Sequence, residues 1–397
     1  MQVDPLRVWS FTPWYPTPDA PWQGTFVKSQ TEALRERGVD VRVFTVHHGH
    51  PFIGIAEVDP DGRRITPQWR VTGARGLAAL MTRPEFPDLD CDVMLAQGNF
   101  VPVLLRHAPL PVVGMLRGSE PLTLSGARRN PISRSIIARA LHRMDGLVAV
   151  GVPILFDLPG DLRDRTTVIE NGVHVDTFTR RTVSAAARMS APDFPRLITV
   201  GHVCENKNQE LLLRNFPRIR EVWPRATWTI VGDGVLRPAM EKLRDDMGLR
   251  DAVHFAGRLS PTDLARALGE ADLFVMPSLR EAFGNVYLEA MAVGVPTLMP
   301  RNAGVSFLTR DPSALHDPTD IAEIIAKARA MLATPESYEQ AVERGRRLVE
   351  RCTWSAHAER MESVLRAAVA RRSAGAAVTR APAGRQLVRQ ASESMVG

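Results

Sequence analysis

Short apolar runs closed by glycine, proline or polar residues alternate along the chain with longer stretches of helical period, the pattern that βαβ units leave in a sequence. In the first half this pattern predicts strands at Leu6–Phe11, Val41–Val46, Val93–Ala96, Val112–Leu116 and Leu147–Val150, with a helix at Phe26–Arg37 that Gly38 closes. The pattern restarts in the second half, with strands expected at Leu197–Val200, Trp228–Val231, Val253–Ala256, Leu273–Met276 and Thr297–Met299. Two doubly wound α/β sheets follow from this repetition. Between them, Thr179–Pro195 is rich in Arg, Ala, Ser and Pro without a clean period and reads as a linker, which puts the domain boundary near residue 180. Apolar residues at helical spacing predict a last helix over Trp354–Ala370, and the Ala-, Arg- and Ser-rich stretch 373–397 has too few large apolar residues to order itself. There is no repeat of fixed period.

Length and composition sharpen this picture. A chain of 397 residues exceeds one ordinary core and suits two domains, expected at 1–180 and 181–350, and 44% hydrophobic with 24% charged residues is an ordinary globular balance. A net charge of +6 favours anionic partners, nucleotide phosphates or acidic lipids among them. Nucleic acid is not expected, because the basic residues are not interleaved with aromatics and only three Tyr occur. Cys91, Cys204 and Cys352 lie far apart, with neither zinc spacing nor a disulfide framework. Pro13 and Pro16 break the apolar N-terminus, and no long apolar run follows, so the expected location is the cytoplasm, soluble or at most peripheral to a membrane. Oligomeric state is not readable here.

The segment with the most chemistry is EAFGNVYLEAMAVGVP, residues 281–296, which sets Glu281 and Glu289 across a loop-to-helix transition with Gly284 at the turn. A helix starting near Asn285 would leave the N–H groups of Phe283, Gly284 and Asn285 as donors at the positive end of its dipole, suited to a phosphate. Glu289, one turn in, could accept two hydrogen bonds from a ribose diol, while Glu281 could hold sugar hydroxyls. A bare pair of glutamates also occurs on ordinary amphipathic helices, and it is the full string that sets this one apart.

That string resembles the signature of the retaining GT-B glycosyltransferases of family four, in which two glutamates enclose a Phe-Gly and lead into Ala-Met-Ala-x-Gly-x-Pro. VGHVCENKNQELLL (200–213), IVGDGVLRPAMEKL (230–243), VHFAGRLSPTDLARAL (253–268) and ADLFVMPSLREAFG (271–284) extend the likeness over nearly the whole second half. YPTPDAPWQGTFVKSQTEALRERGVDVRVFT (15–45) and VIENGVHVDTF (168–178) carry a looser likeness in the first half. The resemblance implies two Rossmann-like domains facing each other across a cleft, with residues 351–372 packing back toward the first. It implies transfer of a hexosyl or related group from a nucleotide diphosphate sugar, most readily a UDP-sugar, to an acceptor hydroxyl of a glycan, lipid carrier or small metabolite. Configuration would be retained, with no metal and no cofactor, the departing diphosphate acting as base. Matched residue by residue, Lys207 would neutralise the diphosphate, Glu289 hold the ribose and Glu281 lie near the donor sugar, making Lys207 and Glu281 catalytic candidates. Phe283, Gly284 and Asn285 would supply backbone, Arg258 and Leu259 would meet the base, and Gly24 would approach donor and acceptor.

Two positions depart from the family pattern. His202 stands where an arginine is common, which makes the second phosphate contact depend on pH. Arg117, in LRGSEP, stands where a histidine is common. Its role could be electrostatic or sugar-binding, which makes it a third catalytic candidate, or it could form an ion pair with Glu120. Another activity on the same fold, an epimerase or phosphorylase, or a nucleotide-sugar-binding subunit without turnover, would fit the same motifs.

Weaker signals have plainer readings. Asp88, Asp90 and Asp92 could suggest a divalent metal, but a polar loop before a buried strand explains them. His47, His48 and His50 read as a solvated loop rather than a metal site, and GDGVLR lacks the third glycine of a dinucleotide fingerprint. Arg128, Arg129, Arg134, Arg139 and Arg143 accompany Ile132, Ile136, Ile137, Leu141 and Met144 as a helix with one basic face, read as an ordinary domain helix with weak peripheral membrane contact as the alternative.

Overall fold

The computed structural model describes residues 4–49, 52–65, 69–71, 89–98, 101–118, 131–179, 183–309 and 311–375. It divides into two units: Met1–Asn171 together with Trp354–Gly397, and Gly172–Thr353.

In the first unit eight strands are described: β1 (Arg7–Thr12), β2 (Asp40–Gly49), β3 (Phe52–Val58), β4 (Trp69–Val71), β5 (Val93–Gln97), β6 (Val112–Leu116), β7 (Gly146–Ala149) and β8 (Thr166–Val168). They form one sheet in the order β4-β3-β2-β1-β5-β6-β7-β8. Helices α1 (Thr25–Glu36), α2 (Val101–Leu105), α3 (Pro131–His142), α4 (Val152–Phe156) and α5 (Gly160–Asp164) connect them. The parallel strands β1, β5, β6 and β7 are buried almost throughout, as expected where helices cover both faces of such a sheet. Trp9, Phe11 and Phe44 stack at their centre, with the Phe11 and Phe44 ring centroids 5.0 Å apart.

The sequence reading missed β3 and β4, which add an antiparallel edge. The expected loop at His47 and His48 is instead the end of β2, paired in register with Gly54 and Ile53, because the antiparallel partner prolongs the ladder past the apolar run. His50 and Asp88 lie outside the described residues. Asp90 and Asp92 both bond to the Arg7 guanidinium, and Asp92 Oδ2 also accepts the Arg7 N–H at 2.9 Å, fastening the start of β5 to that of β1. The hydrogen bond from Arg7 holds the Asp92 carboxyl below its ordinary value.

The second unit has the order β11-β10-β9-β12-β13-β14, from β9 (Arg196–Val200), β10 (Thr227–Val231), β11 (Val253–Gly257), β12 (Leu273–Val275), β13 (Thr297–Pro300) and β14 (Leu315–His316). Its helices are α6 (Ala185–Met189), α7 (Gln209–Arg214), α8 (Phe216–Val222), α9 (Arg237–Asp246), α10 (Pro261–Glu270), α11 (Asn285–Val293), α12 (Ile321–Met331) and α13 (Pro335–Arg351). Every pairing in this sheet is parallel. In its core the Trp228 indole N–H donates to Thr199 Oγ1 at 2.9 Å, and that hydroxyl donates to the Val275 carbonyl at 2.6 Å, so these two buried polar groups are satisfied.

The stretch read as a linker contains α6, capped by Ser184, and its Arg188 is buried against the Glu270 carbonyl at 2.8 Å and Asp272 at 3.6 Å. A basic, aperiodic segment thus belongs to the second unit, because its arginine has a buried carboxylate to meet. The last helix, α14 (Trp354–Ser373), returns to the first unit and packs on α1 and on β5, β6 and β7. No described helix is long and apolar enough to cross a membrane, and residues 376–397 of the expected tail lie outside the description.

Candidate active site

In a doubly wound sheet, ligands gather at the carboxyl ends of the strands where the winding reverses. In the second unit that reversal lies between β9 and β12. The loop after β9 carries His202 and, on a short 3-10 turn at Glu205–Lys207, Lys207; the loop after β12 carries Glu281. The Leu279 N–H donates to the Asn206 carbonyl at 2.8 Å, and Asn206 Nδ2 donates to the Arg280 carbonyl at 2.9 Å. These bonds clamp the two loops together. Lys207 Nζ is thereby in direct ion-pair contact with Glu281 Oε2, each side chain less than a fifth exposed.

Glu281 is followed by an irregular turn into α11. The Gly304 N–H donates to the Glu281 carbonyl at 3.1 Å, and the Val305 N–H donates to that of Phe283 at 2.9 Å, so the turn is bound to the loop after β13. Gly284 sits at φ 96°, where a Cβ would come within 2.6 Å of the Tyr287 ring, so both the backbone and the space require glycine. No side chain caps α11, whose helix begins at Asn285. The amides of Phe283 and Gly284 donate to no backbone acceptor among the described residues. Phe283 itself is buried, and Tyr287 anchors the first turn by donating from Oη to the Met276 carbonyl at 2.8 Å.

Glu289 lies one turn further in and has neither a hydrogen bond nor an ion pair among the described residues. It keeps some surface, but its surroundings are dense enough that burial pushes its carboxyl up to about 7. A carboxylate with such a pKa and no partner is a group awaiting a donor.

The other expected residues line the same edge at different distances. His202 is exposed, its Nδ1 3.2 Å from the Asp233 carbonyl; since the carbonyl can only accept, Nδ1 carries the proton. Only the imidazolium then offers a second donor at Nε2. Gly232 and Gly234 allow the loop after β10 to touch that after β9, where a Cβ would fall 2.0 Å from the Gly201 carbonyl oxygen and 2.3 Å from that of Val203. Arg258, exposed, and Leu259, half-buried, follow β11, two strand spacings or about 10 Å from β9.

Gly24 and Arg117 belong to the first unit. Gly24 opens α1 at φ 68°, and a Cβ there would strike the Trp14 backbone at 2.6 Å. Arg117, after β6, lies over the Phe26 ring at 4.6 Å. Its Nε and Nη2 donate to Gln97 Oε1 at 3.1 and 2.7 Å, Nη2 donates to Gln30 Oε1 at 2.9 Å, and Nη1 to Asn171 Oδ1 at 3.4 Å. Glu120, its other expected partner, lies outside the described residues. Gln97 Nε2 donates to Ser10 Oγ at 2.8 Å, and Gln30 Nε2 lies 2.8 Å from His357 Nε2, whose Nδ1 is 2.7 Å from the Glu170 carbonyl. The carbonyl makes Nδ1 the donor, so Nε2 accepts from Gln30 and the imidazole is neutral. Burial pushes the His357 pKa down to about 4, consistent with that polarity.

Gln30, Gln97, Asn171 and His357 escaped the sequence reading. The signal was present: Gln97 ends an otherwise apolar strand, and Gln30 lies on the buried face of a helix. A fully buried amide of this kind implies a partner. Among the described residues no group of three or more His, Cys, Asp or Glu could hold a metal ion. The three cysteines are free thiols.

Comparison with known proteins agrees with this arrangement. The family "Glycosyltransferase Family 4" matches residues 23–177, and "Glycosyl transferases group 1" matches residues 194–334. A phosphatidyl-myo-inositol mannosyltransferase from Propionibacterium freudenreichii is 27% identical over 68% of this chain and 71% of its own length. The sulfoquinovosyl transferase SQD2 of Arabidopsis thaliana is 30% identical over 81% of this chain, and the match spans 66% of that relative. For a glycogen synthase of Mycobacterium tuberculosis, 28% identical over 60% of this chain, the match spans 58% of its length. Among solved structures, a sucrose-phosphate synthase from Thermosynechococcus elongatus superposes with a TM-score of 0.70 at 20% identity, covering 91% of this chain and 98% of that one. Anabaena HepE in complex with UDP-glucose gives 0.66 at 15% identity, covering 91% and 99%. Two matching family descriptions, glycosyltransferase relatives and a pair of Rossmann-like sheets with a GT-B fold together make the chain a member of the group 1, family 4 glycosyltransferases.

Proposed function

We propose that the chain is a retaining, metal-independent glycosyltransferase that moves a sugar from a nucleotide diphosphate sugar to an acceptor hydroxyl of a glycan, lipid carrier or small metabolite. The observation that carries the reading is the contact of Lys207 with Glu281 beside the uncapped start of α11, with the unpartnered Glu289 one turn away. The complex of HepE with UDP-glucose supports a UDP-sugar as the first donor to try.

In this reading the free protein holds the lysine charge in store on Glu281. An incoming diphosphate draws Lys207 and takes the open amides at Phe283 and Gly284, so its charge is met by groups fixed in place before the bond breaks. Glu281, released from the lysine, accepts from hydroxyls of the sugar. Glu289 accepts from the ribose diol, which favours its ionised form, and Arg258 and Leu259 border the base. The acceptor oxygen attacks the anomeric carbon on the face from which the diphosphate leaves. The carbon–oxygen bond to the diphosphate breaks, and the acceptor proton passes to the departing phosphate oxygen, so no enzyme carboxylate forms a covalent intermediate. Arg117 and Gly24 are assigned to the reaction as a fixed charge and a close-approach position, on the strength of the family pattern.

The test is a screen of UDP-, GDP- and ADP-sugars for thermal stabilisation, where a ligand at a hundred times its Kd adds about 2.7 kcal/mol. Acceptors are then assayed against the donor that binds, following release of nucleoside diphosphate and the anomeric configuration of the product. Stabilisation by no nucleotide sugar overturns the assignment, product with inverted configuration overturns retention, and loss of activity with EDTA overturns metal independence. Binding with no turnover on any acceptor would favour a binding subunit.

A further inference from the structure

Lys207 is placed by its neighbour. Among the described residues Asn208 is the one non-glycine at positive φ, 53°, a left-handed conformation that asparagine tolerates better than most side chains. It turns the chain between two elements. Its N–H donates to the Glu205 carbonyl at 3.1 Å, closing the 3-10 turn that carries Lys207, and its carbonyl accepts from the Leu211 N–H at 3.1 Å as α7 begins. The side chain leaves the segment altogether: Asn208 Nδ2 donates to the Pro318 carbonyl at 2.8 Å, 110 positions away in the loop after β14.

That acceptor is itself fixed. The Asp317 N–H donates to Glu323 Oε2 at 2.7 Å, and the Thr319 N–H donates to Asp317 Oδ1 at 2.7 Å, so the residues on both sides of Pro318 are tied down. Glu323 is held in turn by the Arg301 guanidinium, which keeps its carboxyl down at about 2. Arg301 follows β13, and its N–H donates to the His316 carbonyl at 2.9 Å, joining that loop to the end of β14.

A lysine side chain is a long flexible stem, so the reach of its ammonium depends on where its backbone stands and on what the stem lies against. The Lys207 stem lies against Gly201, where an added Cβ would come 3.5 Å from Cε. Its backbone is held on one side by Asn206, whose amide meets the Arg280 carbonyl in the loop of Glu281, and on the other by Asn208. The first bond ties the lysine to its partner's loop. The second ties it to a separate loop that supplies no group to the proposed donor contacts.

We propose that Asn208 is a positioning residue for Lys207: its amide, bonded to Pro318, keeps the ammonium where it can pass from Glu281 to a diphosphate. The inference rests on the transferase reading, in which the diphosphate draws Lys207. Glycine can supply the left-handed backbone but not the bond to Pro318, and this separates positioning from folding.

The probes are UDP, GDP and ADP, titrated by calorimetry into full-length protein. Asn208→Gly should melt close to the parent, since it relieves the left-handed strain as it loses the amide, and should weaken binding of the diphosphate about tenfold. Asn208→Ala loses the same amide and keeps the strain, so it should melt lower yet lose affinity to the same extent. In a Lys207→Ala background Asn208→Gly should cost no further affinity, because the ammonium it aims is gone. Affinity that survives Asn208→Gly, or that falls additively with Lys207→Ala, overturns the proposal and leaves the transferase reading standing. So does a loss that follows the melting temperature, greater in Asn208→Ala than in Asn208→Gly, which would make Asn208 a folding residue only. A parent that binds none of the three diphosphates overturns the transferase reading itself, and this inference with it.

Discussion

The two units are built on the same plan, sheets of parallel strands wound both ways from a central strand, with an antiparallel edge added in the first, yet they treat polar groups at their carboxyl edges in opposite ways. In the first, Arg117, Gln97, Gln30, Ser10 and His357 are bonded to one another, and each of these bonds runs from a donor to an acceptor of the right polarity. In the second, Glu289 has no partner among the described residues, no side chain caps α11, and the pair of Lys207 with Glu281 joins two groups that are each suited to a different part of one ligand. A closed network fixes a shape; an open set of charges stores binding capacity. Sites that keep unmet charge must be held by surrounding structure, and the asparagine clamps on either side of Lys207 do this.

The comparison can be broken most directly at Lys207. Lys207→Ala should lower kcat/KM about a hundredfold or more, and a Lys207→Ala, Glu281→Gln double variant, which leaves no charge of the mostly buried pair unmet, should keep a melting temperature close to that of the parent while remaining as inactive. A collapse of stability instead would show the pair to be structural. Arg117→Leu should act on the fold as well as on turnover: the buried carbonyl oxygens of Gln97 and Gln30 lose their donor, and stability should fall by about 2 kcal/mol, read from urea unfolding. Unchanged stability would mean that the network is not closed.

The pH dependences should also run in opposite directions. Glu289 has a folded pKa raised to about 7, so the stability it contributes is full below its ordinary value of 4.5 and is lost as pH rises through 7. Glu289→Gln should flatten that decline in a melting series, and should also remove the rise in donor affinity as the carboxyl ionises. His357 has a folded pKa lowered to about 4, so its contribution is full above its ordinary 6.5 and is lost as pH falls toward 4. His357→Gln should flatten that acid limb. Identical pH profiles in parent and variants would undo both assignments. The smallest change is expected of His202→Arg, which supplies a permanent charge and should tighten donor binding a few-fold, by titration calorimetry.

Much of the second unit was legible beforehand. Its apolar runs lie within a residue or so of the strands at β9 to β13, and the turn into α11 begins where the Gly284 signal put it. Period and turn chemistry are local, so a sequence displays them. The antiparallel edge of the first unit was not legible, because β3 and β4 exist through their pairing with β2 and with each other. Nor was α6, whose Arg188 looks like a solvated linker residue until Asp272 and Glu270 are brought beside it.

By itself the sequence determined two doubly wound sheets and the helix start at Asn285, and it offered the residue types proposed to hold a diphosphate sugar. Only the tertiary structure decided that Lys207 meets Glu281 across 74 positions of chain, that His357 reaches Gln30, and that the Asn208 amide reaches Pro318. Burial periodicity is written residue by residue along the chain. Strand order is not, and it is strand order, β9 lying between β10 and β12, that chooses which loop ends become neighbours.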